Sequence, residues 1–344
     1  MAALTIFFLL TVAFLASVGN AATRPFAVVG YVPEWRYDGL DWDTLSHHNT
    51  HLILFSLEVV EDGSLTAMDR LPKPESFIEA RKTTLAHSTK LLICFGGYGR
   101  SGGFPVLVQD PAARAKFLQN LLAFIEKHNL DGVDYNWEYP RGSDEWTGLA
   151  LLIAETRALL GPMKVITMAY YPDGAQEHAI KMTGMVEHVD LILMMCYDQP
   201  GRHATEEFMK VASMRSLTQL PSRKLALGLP FYSRHTRTGD WKSYDELLRL
   251  YGDEMETRSN EVEGHFFNGP FLIARKTNYA LDNDFGGVMI WEVGQDCNSY
   301  STSSCSDRNV NRTFESKDRS LHSTVTLYIN RKLGQVSRSF KDEL

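Results

Sequence analysis

Eight short apolar runs recur along the chain, at residues 26–32, 52–59, 91–95, 132–137, 165–170, 189–197, 225–229 and 287–291. Most are continuous in Val, Ile, Leu and Met instead of alternating with polar residues. Strands covered on both faces of a parallel sheet read this way. Helical patterns lie between them. Asp110-Pro111 sets an N-cap before a proline at the first helical position. Phe117, Leu118, Leu121, Leu122 and Ile125 then form an apolar stripe at helical spacing. The last helix is expected after Ser320, with Leu321, Val325, Tyr328, Ile329 and Leu333 as its stripe and Gly334 as its end. A strand followed by a helix, eight times over roughly 310 residues, predicts an α/β chain closed as one (β/α)8 TIM barrel, spanning residues 24–335. A doubly wound open sheet is the alternative. No linker, repeat or low-complexity tract interrupts the series.

Composition excludes several function classes. The 344 residues are 44% hydrophobic and 22% charged, a globular mix. A net charge of −7 offers no basic footprint for nucleic acid. The four cysteines are too few for a disulfide scaffold and show no metal-ligand spacing. His47, His48 and His51 cluster, but no carboxylate pattern completes a metal site with them. Gly97-Tyr98-Gly99-Arg100-Ser101-Gly102 matches G-x-G-x-x-G after a strand. A dinucleotide site needs the third glycine to open a helix, whereas here the helix waits until Pro111. No cofactor is called for.

The two ends carry addresses. The first 23 residues hold no charged side chain, and residues 5–18 form an apolar run leading to small residues at Gly19-Asn20-Ala21. This reads as a signal peptide over residues 1–21, with an uncleaved anchor as the other reading. No later stretch is long and apolar enough to span a bilayer. Residues 336–344 read as a polar tail ending in Lys341-Asp342-Glu343-Leu344, the KDEL motif read by the retrieval receptor of the endoplasmic reticulum. The expected location is therefore that lumen. Deleting the last four residues is expected to send the protein to the medium, and unchanged retention of the truncated chain would refute the address. In that oxidising compartment Cys297 and Cys305 are expected to close a small disulfide, while Cys94 and Cys196, inside apolar runs, read as buried thiols. Asn311-Arg312-Thr313 is a glycosylation sequon.

The most informative stretch is Leu130-Asp131-Gly132-Val133-Asp134-Tyr135-Asn136-Trp137-Glu138-Tyr139-Pro140. Side chains alternate along a strand, so Asp134, Asn136 and Glu138 share one face, which in a barrel points inward. A buried row of this kind is costly unless hydrogen-bonded or working. A satisfied polar layer would account for Asp134 alone. Three polar groups in register, ending where barrel active sites lie, favour function.

This segment resembles the D-G-x-D-x-D-W-E-Y-P signature of glycoside hydrolase family 18, the chitinase family. It matches at Asp131, Gly132, Asp134, Trp137, Glu138, Tyr139 and Pro140 and departs at Asn136, where active members typically carry Asp. Gly30-Tyr31 with Trp35, Phe95-Gly96-Gly97, Met195-Cys196-Tyr197-Asp198, Gly228-Leu229-Pro230-Phe231-Tyr232 and Gly287-Val288-Met289-Ile290-Trp291-Glu292 follow the family in order. The resemblance implies a retaining hydrolase of N-acetylglucosamine chains whose nucleophile is the substrate's own acetamide oxygen. Asp134 and Glu138 are about 13 Å apart by strand rise, too far for the ~5–5.5 Å of an ordinary retaining pair.

By the same resemblance Glu138 is the proton donor, residue 136 orients the acetamide, Asp134 supports it, and Tyr197 holds the acetamide carbonyl. Asp198 lies near the sugar and Trp291 is its floor. Met195, Tyr31, Gly97 and Tyr139 belong to the same binding segments. Tyr98 stands where chitinases often present a Trp. Trp35, Trp42 and Trp146 read as packing residues. Only 55 residues separate Phe231 from Phe285, inclusive, so no full insertion domain is expected between strands seven and eight, and the groove should be open. Asn136 implies slow turnover. Without its charge Glu138 should lose its proton more readily, giving an acidic optimum. A glycan-binding protein without turnover and an endo-N-acetylglucosaminidase acting on N-glycans are the alternatives.

Overall fold

The computed structural model describes residues 25–252, 254–255, 258–297, 299 and 319–342. The expected leader, Cys305, Asn311, Glu343 and Leu344 lie outside the described residues.

Numbering only the barrel elements, the strands are β1 (Ala27–Pro33), β2 (His51–Val59), β3 (Lys90–Gly96), β4 (Gly132–Asn136), β5 (Val165–Tyr170), β6 (Leu191–Met194), β7 (Leu225–Pro230) and β8 (Gly287–Trp291). Each pairs in parallel with the next, and β1 pairs with both β2 and β8, which closes the barrel. The helices are α1 (Trp42–His48), α2 (Pro74–Ala86), α3 (Pro111–Lys127), α4 (Gly142–Leu160), α5 (Ala175–Thr183), α6 (Glu206–Leu217), α7 (Pro270–Asp282) and α8 (Leu321–Asp342).

Strand alternation explains why the runs are continuously apolar. In β1, Ala27, Val29 and Tyr31 fill the barrel, while Val28 and Val32 pack toward the helices. In β3, Leu92 and Cys94 point in, and Leu91, Ile93 and Phe95 point out. Both faces are dry, so both need apolar side chains. Polar residues on the inner face are exceptions that mark the mouth.

The capping signals act as expected. The Asp110 carboxylate accepts the Ala112 N–H at 2.8 Å, and the Ser320 hydroxyl accepts the Ser323 N–H at 3.1 Å. Gly334, by contrast, does not end α8, which continues to Asp342. Glycine stops a helix by taking the left-handed conformation. Gly334 is not among the positive-φ residues, and a helical glycine costs only about 1 kcal/mol. The 336–344 segment is thus helical in its described part.

Between β7 and β8 the chain builds no second domain. It forms four short antiparallel strands, Tyr232–His235, Trp241–Ser243, Glu261–Val262 and His265–Phe266, and a helix, Tyr244–Tyr251. Strands this short leave no readable period in the sequence. Cys297 is disulfide-bonded, and Cys94 and Cys196 are free and buried. Among the described residues no group of three or more His, Cys, Asp or Glu is arranged to hold a metal, and no helix is long and apolar enough to cross a membrane.

Candidate active site

The β4 column stands as its alternation requires. Deepest is Asp134, which has no solvent exposure. Its carboxylate accepts the Tyr31 hydroxyl at 2.9 Å and the Thr167 hydroxyl at 2.6 Å, and the Cys94 thiol also bonds it. Burial still pushes its pKa up against those three donors. Asn136, next toward the mouth, is 3% exposed. Its amide bonds the Glu138 carboxylate, and its Oδ1 is buried with no partner among the described residues. An unsatisfied buried acceptor is expensive and fits an N–H arriving with a ligand.

Glu138 sits just beyond β4, where barrel sites form. Its backbone N–H donates to Ser101 Oγ at 3.1 Å, and Ser101 Oγ donates to the Gly97 carbonyl at 3.1 Å, so the loop after β3 holds it. Burial raises the Glu138 pKa to about 7. The Asn136 amide opposes that shift, the Asp198 charge adds to it, and the Tyr98 backbone N–H opposes it. This corrects the expectation of an easily ionised acid: desolvation and Asp198 keep the proton on without a charge at position 136. A general acid with this pKa is expected to give a kcat/KM profile that is flat below pH 7 and falls about tenfold per unit above it. Asp198→Asn should move that limb to lower pH. A pH–rate profile on a cleaved oligosaccharide checks this, and a limb below pH 5 would show that Glu138 is not the acid.

Across the mouth, the Tyr197 hydroxyl has only the Met289 thioether as a partner among the described residues, at 3.6 Å. Such a weak acceptor leaves the phenol able to donate to a substrate carbonyl. Burial pushes its pKa well up, keeping it protonated. Asp198 takes a left-handed conformation, φ 65°. Its Oδ1 accepts the Tyr232 hydroxyl at 2.8 Å and Arg234 Nε at 2.7 Å. Arg234 was not foreseen. It lies two residues from Tyr232 on the strand Tyr232–His235, the same-face spacing that pointed out the β4 column.

Trp291 is the last residue of β8. Its ring packs edge-on against Phe55 at 4.7 Å and Tyr31 at 5.3 Å. Gly97, at φ 110°, makes room, since a Cβ there would fall 2.3 Å from Phe55 Cζ. Two residues expected to bind are set back from the surface: Tyr31 is buried and bonded to Asp134, and Gly97 lies against Phe55. Met195 is buried beside Tyr197, and Tyr139 stands at the rim, its ring 6.5 Å from Tyr171. Tyr98 is 89% exposed, its ring free in solvent. Trp42 and Trp146 are buried as expected. Trp35 packs only in part: its ring lies edge-on to Phe55 at 6.3 Å, with the Arg100 guanidinium 5.7 Å away, yet it is 52% exposed. Trp241, in the β7–β8 segment and 56% exposed, was not singled out by the sequence.

Residues 27–296 match the model of Glycosyl hydrolases family 18. Probable chitinase 10 of Drosophila melanogaster is 22% identical over 361 residues, covering 80% of this chain but 16% of that protein. The chain thus spans a minor part of that relative. The crystal structure of a GH18 chitinase from Flavobacterium johnsoniae superposes with a TM-score of 0.71 at 23% identity, over 90% of this chain and 95% of that one. Catalytic domain 2 of an Ostrinia furnacalis Group II chitinase, solved with (NAG)5, gives a TM-score of 0.71 at 18% identity, over 88% and 95% of the two chains.

Proposed function

The chain belongs to glycosyl hydrolase family 18, and from that premise we propose that it cleaves β-1,4-linked N-acetylglucosamine chains by substrate-assisted retaining catalysis, at a slow rate. The observation that carries the reading is the pairing of Glu138, held protonated to about pH 7, with the unpartnered buried Oδ1 of Asn136 beside it. One group supplies a proton at the mouth; the other is an acceptor for an acetamide N–H.

In this mechanism Glu138 gives its proton to the glycosidic oxygen as the C–O bond breaks. The acetamide carbonyl oxygen of the sugar attacks the anomeric carbon from the other face. The Tyr197 phenol holds that carbonyl, Asn136 accepts the acetamide N–H, and Trp291 lies under the ring. The resulting oxazolinium carries positive charge on the side where most of the family places a carboxylate. Glu138, now a carboxylate, then takes a proton from the water that opens the oxazolinium, restoring the acid and retaining the configuration. No second protein nucleophile is needed.

Asn136 also favours a second reading. A neutral amide keeps the acceptor and loses the charge, as a binding protein that retained its groove would. Incubating the purified protein with labelled chito-oligosaccharides and with a high-mannose glycopeptide separates the readings. Cleavage of the oligosaccharides supports the proposal, and cleavage of the glycopeptide alone assigns an endo-N-acetylglucosaminidase. Binding with no cleavage of either assigns the lectin-like role.

A further inference from the structure

Lys276, on α7, is fully buried, and among the described residues no carboxylate pairs with it. Burial pulls its pKa down to about 8. A lone buried ammonium is costly, and an apolar side chain of the same length would fill the site without that cost. Its Nζ donates to one backbone carbonyl, that of Ala204, at 2.8 Å. The same oxygen accepts the Asn268 side-chain amide at 3.0 Å, and Asn268 is buried too. Two buried donors, Asn268 just before α7 and Lys276 in its middle, thus converge on a single atom of the loop between β6 and α6.

That loop carries Asp198. It folds back on itself, with the Gln199 N–H donating to the His203 carbonyl at 3.2 Å, and the Gln199 amide donating to the Arg202 carbonyl at 2.8 Å and to Thr205 Oγ1 at 3.2 Å. Its near end is Asp198, in the left-handed region at φ 65°, with its carboxylate bonded to Tyr232 and Arg234. Its far end is Ala204, under the two donors. Between them His203, fully buried, lies with its ring 4.9 Å from the Tyr232 ring and Nδ1 3.8 Å from Asp198 Oδ1.

We propose that Lys276 and Asn268 are positioning residues that clamp the Ala204 carbonyl and so hold the Asp198 loop in the conformation that presents Asp198 to the sugar. The clamp acts through the backbone and touches neither substrate nor Glu138. It rests on the reading of the groove given above only for what Asp198 meets there.

Three variants test it: Lys276→Met, which keeps the apolar stem and removes the donor; Lys276→Gln, which restores an N–H donor; and Asn268→Ala, which removes the second donor should Lys276→Met fail to fold. Backbone hydrogen exchange over residues 198–205 reads the clamp without any ligand. Titration with N-acetylglucosamine tetramer reads its consequence. Lys276→Met is expected to speed exchange in that loop about tenfold or more and to weaken tetramer binding about tenfold, with Tm changed little and Lys276→Gln recovering part of both. Unchanged exchange in both Lys276→Met and Asn268→Ala overturns the clamp. Faster exchange with unchanged affinity overturns its role in positioning Asp198. A parent protein that binds no tetramer defeats the functional reading instead, and exchange alone then decides the clamp.

Discussion

Glu138→Gln is expected to lower turnover of an N-acetylglucosamine oligomer by about 10²–10⁴-fold, the usual worth of a positioned general acid. Binding should stay within about twofold of the parent. Glutamine keeps the length and shape of the side chain, and its carbonyl oxygen can still accept the N–H groups that Asn136 and the Tyr98 backbone offer. It cannot release a proton to the leaving oxygen or take one back from water. Folding should not suffer, because Glu138 sits at the mouth beyond the end of β4. Replacing a carboxyl group whose charged form burial disfavours removes a penalty at high pH instead of a support. The alkaline limb near pH 7 should vanish with the acid. Kinetics, tetramer titration and a melting curve on the same preparation check all three statements. Turnover within about twofold of the parent would place the acid elsewhere.

Asn136→Asp carries the second large effect, in the opposite direction. On the proposed mechanism the amide already provides the geometry, since its Oδ1 has no partner among the described residues. A carboxylate would add charge that counts only as the oxazolinium forms, which is the kind of interaction that raises kcat and not affinity. One preorganised electrostatic group is worth about 10²–10³ in rate. We expect at least about tenfold in kcat, because Asp198 already supplies negative charge near Glu138. The added like charge should also move the alkaline limb above pH 7. Stability should fall, since the introduced carboxylate lies one step along the strand from buried Asp134. The loss is about 1.4 kcal/mol for each unit by which burial raises its pKa. Equal kcat for the two proteins on a verified substrate would mean that Asp198 and its neighbours compensate fully. Absence of turnover in both would favour binding without catalysis.

These two effects rest on residues that local pattern could reveal. Strand alternation is a property of the backbone, so Asp134, Asn136 and Glu138 had to share a face once β4 was recognised. The eight apolar runs were legible as strands buried on both faces because they are short, continuous in Val, Ile, Leu and Met, and separated by helical patterns. The Asp110 cap and the helix start after Ser320 were legible because a helix start is written within a few residues. Gly334 was misleading at this level, since a glycine ends a helix only if its φ becomes positive, and the residue type leaves that choice open.

What the sequence determined by itself is therefore what lies within a few residues of chain: strands, helix starts, the inward column of β4 and the departure at Asn136. The tertiary structure decided everything that depends on distant neighbours. Asp134 is bonded by Tyr31 and Thr167, which are 103 and 33 residues away, and no local spacing predicts either. Arg234 and Tyr232 reach Asp198 only because the short strands after β7 fold over the mouth. Trp35 and Trp42 are both tryptophans near β1, yet one is half exposed and the other buried, a difference set by packing. The protonation of Glu138 could not be read from Asn136 alone, because a pKa sums desolvation and charge in three dimensions, and the dominant contribution there is burial.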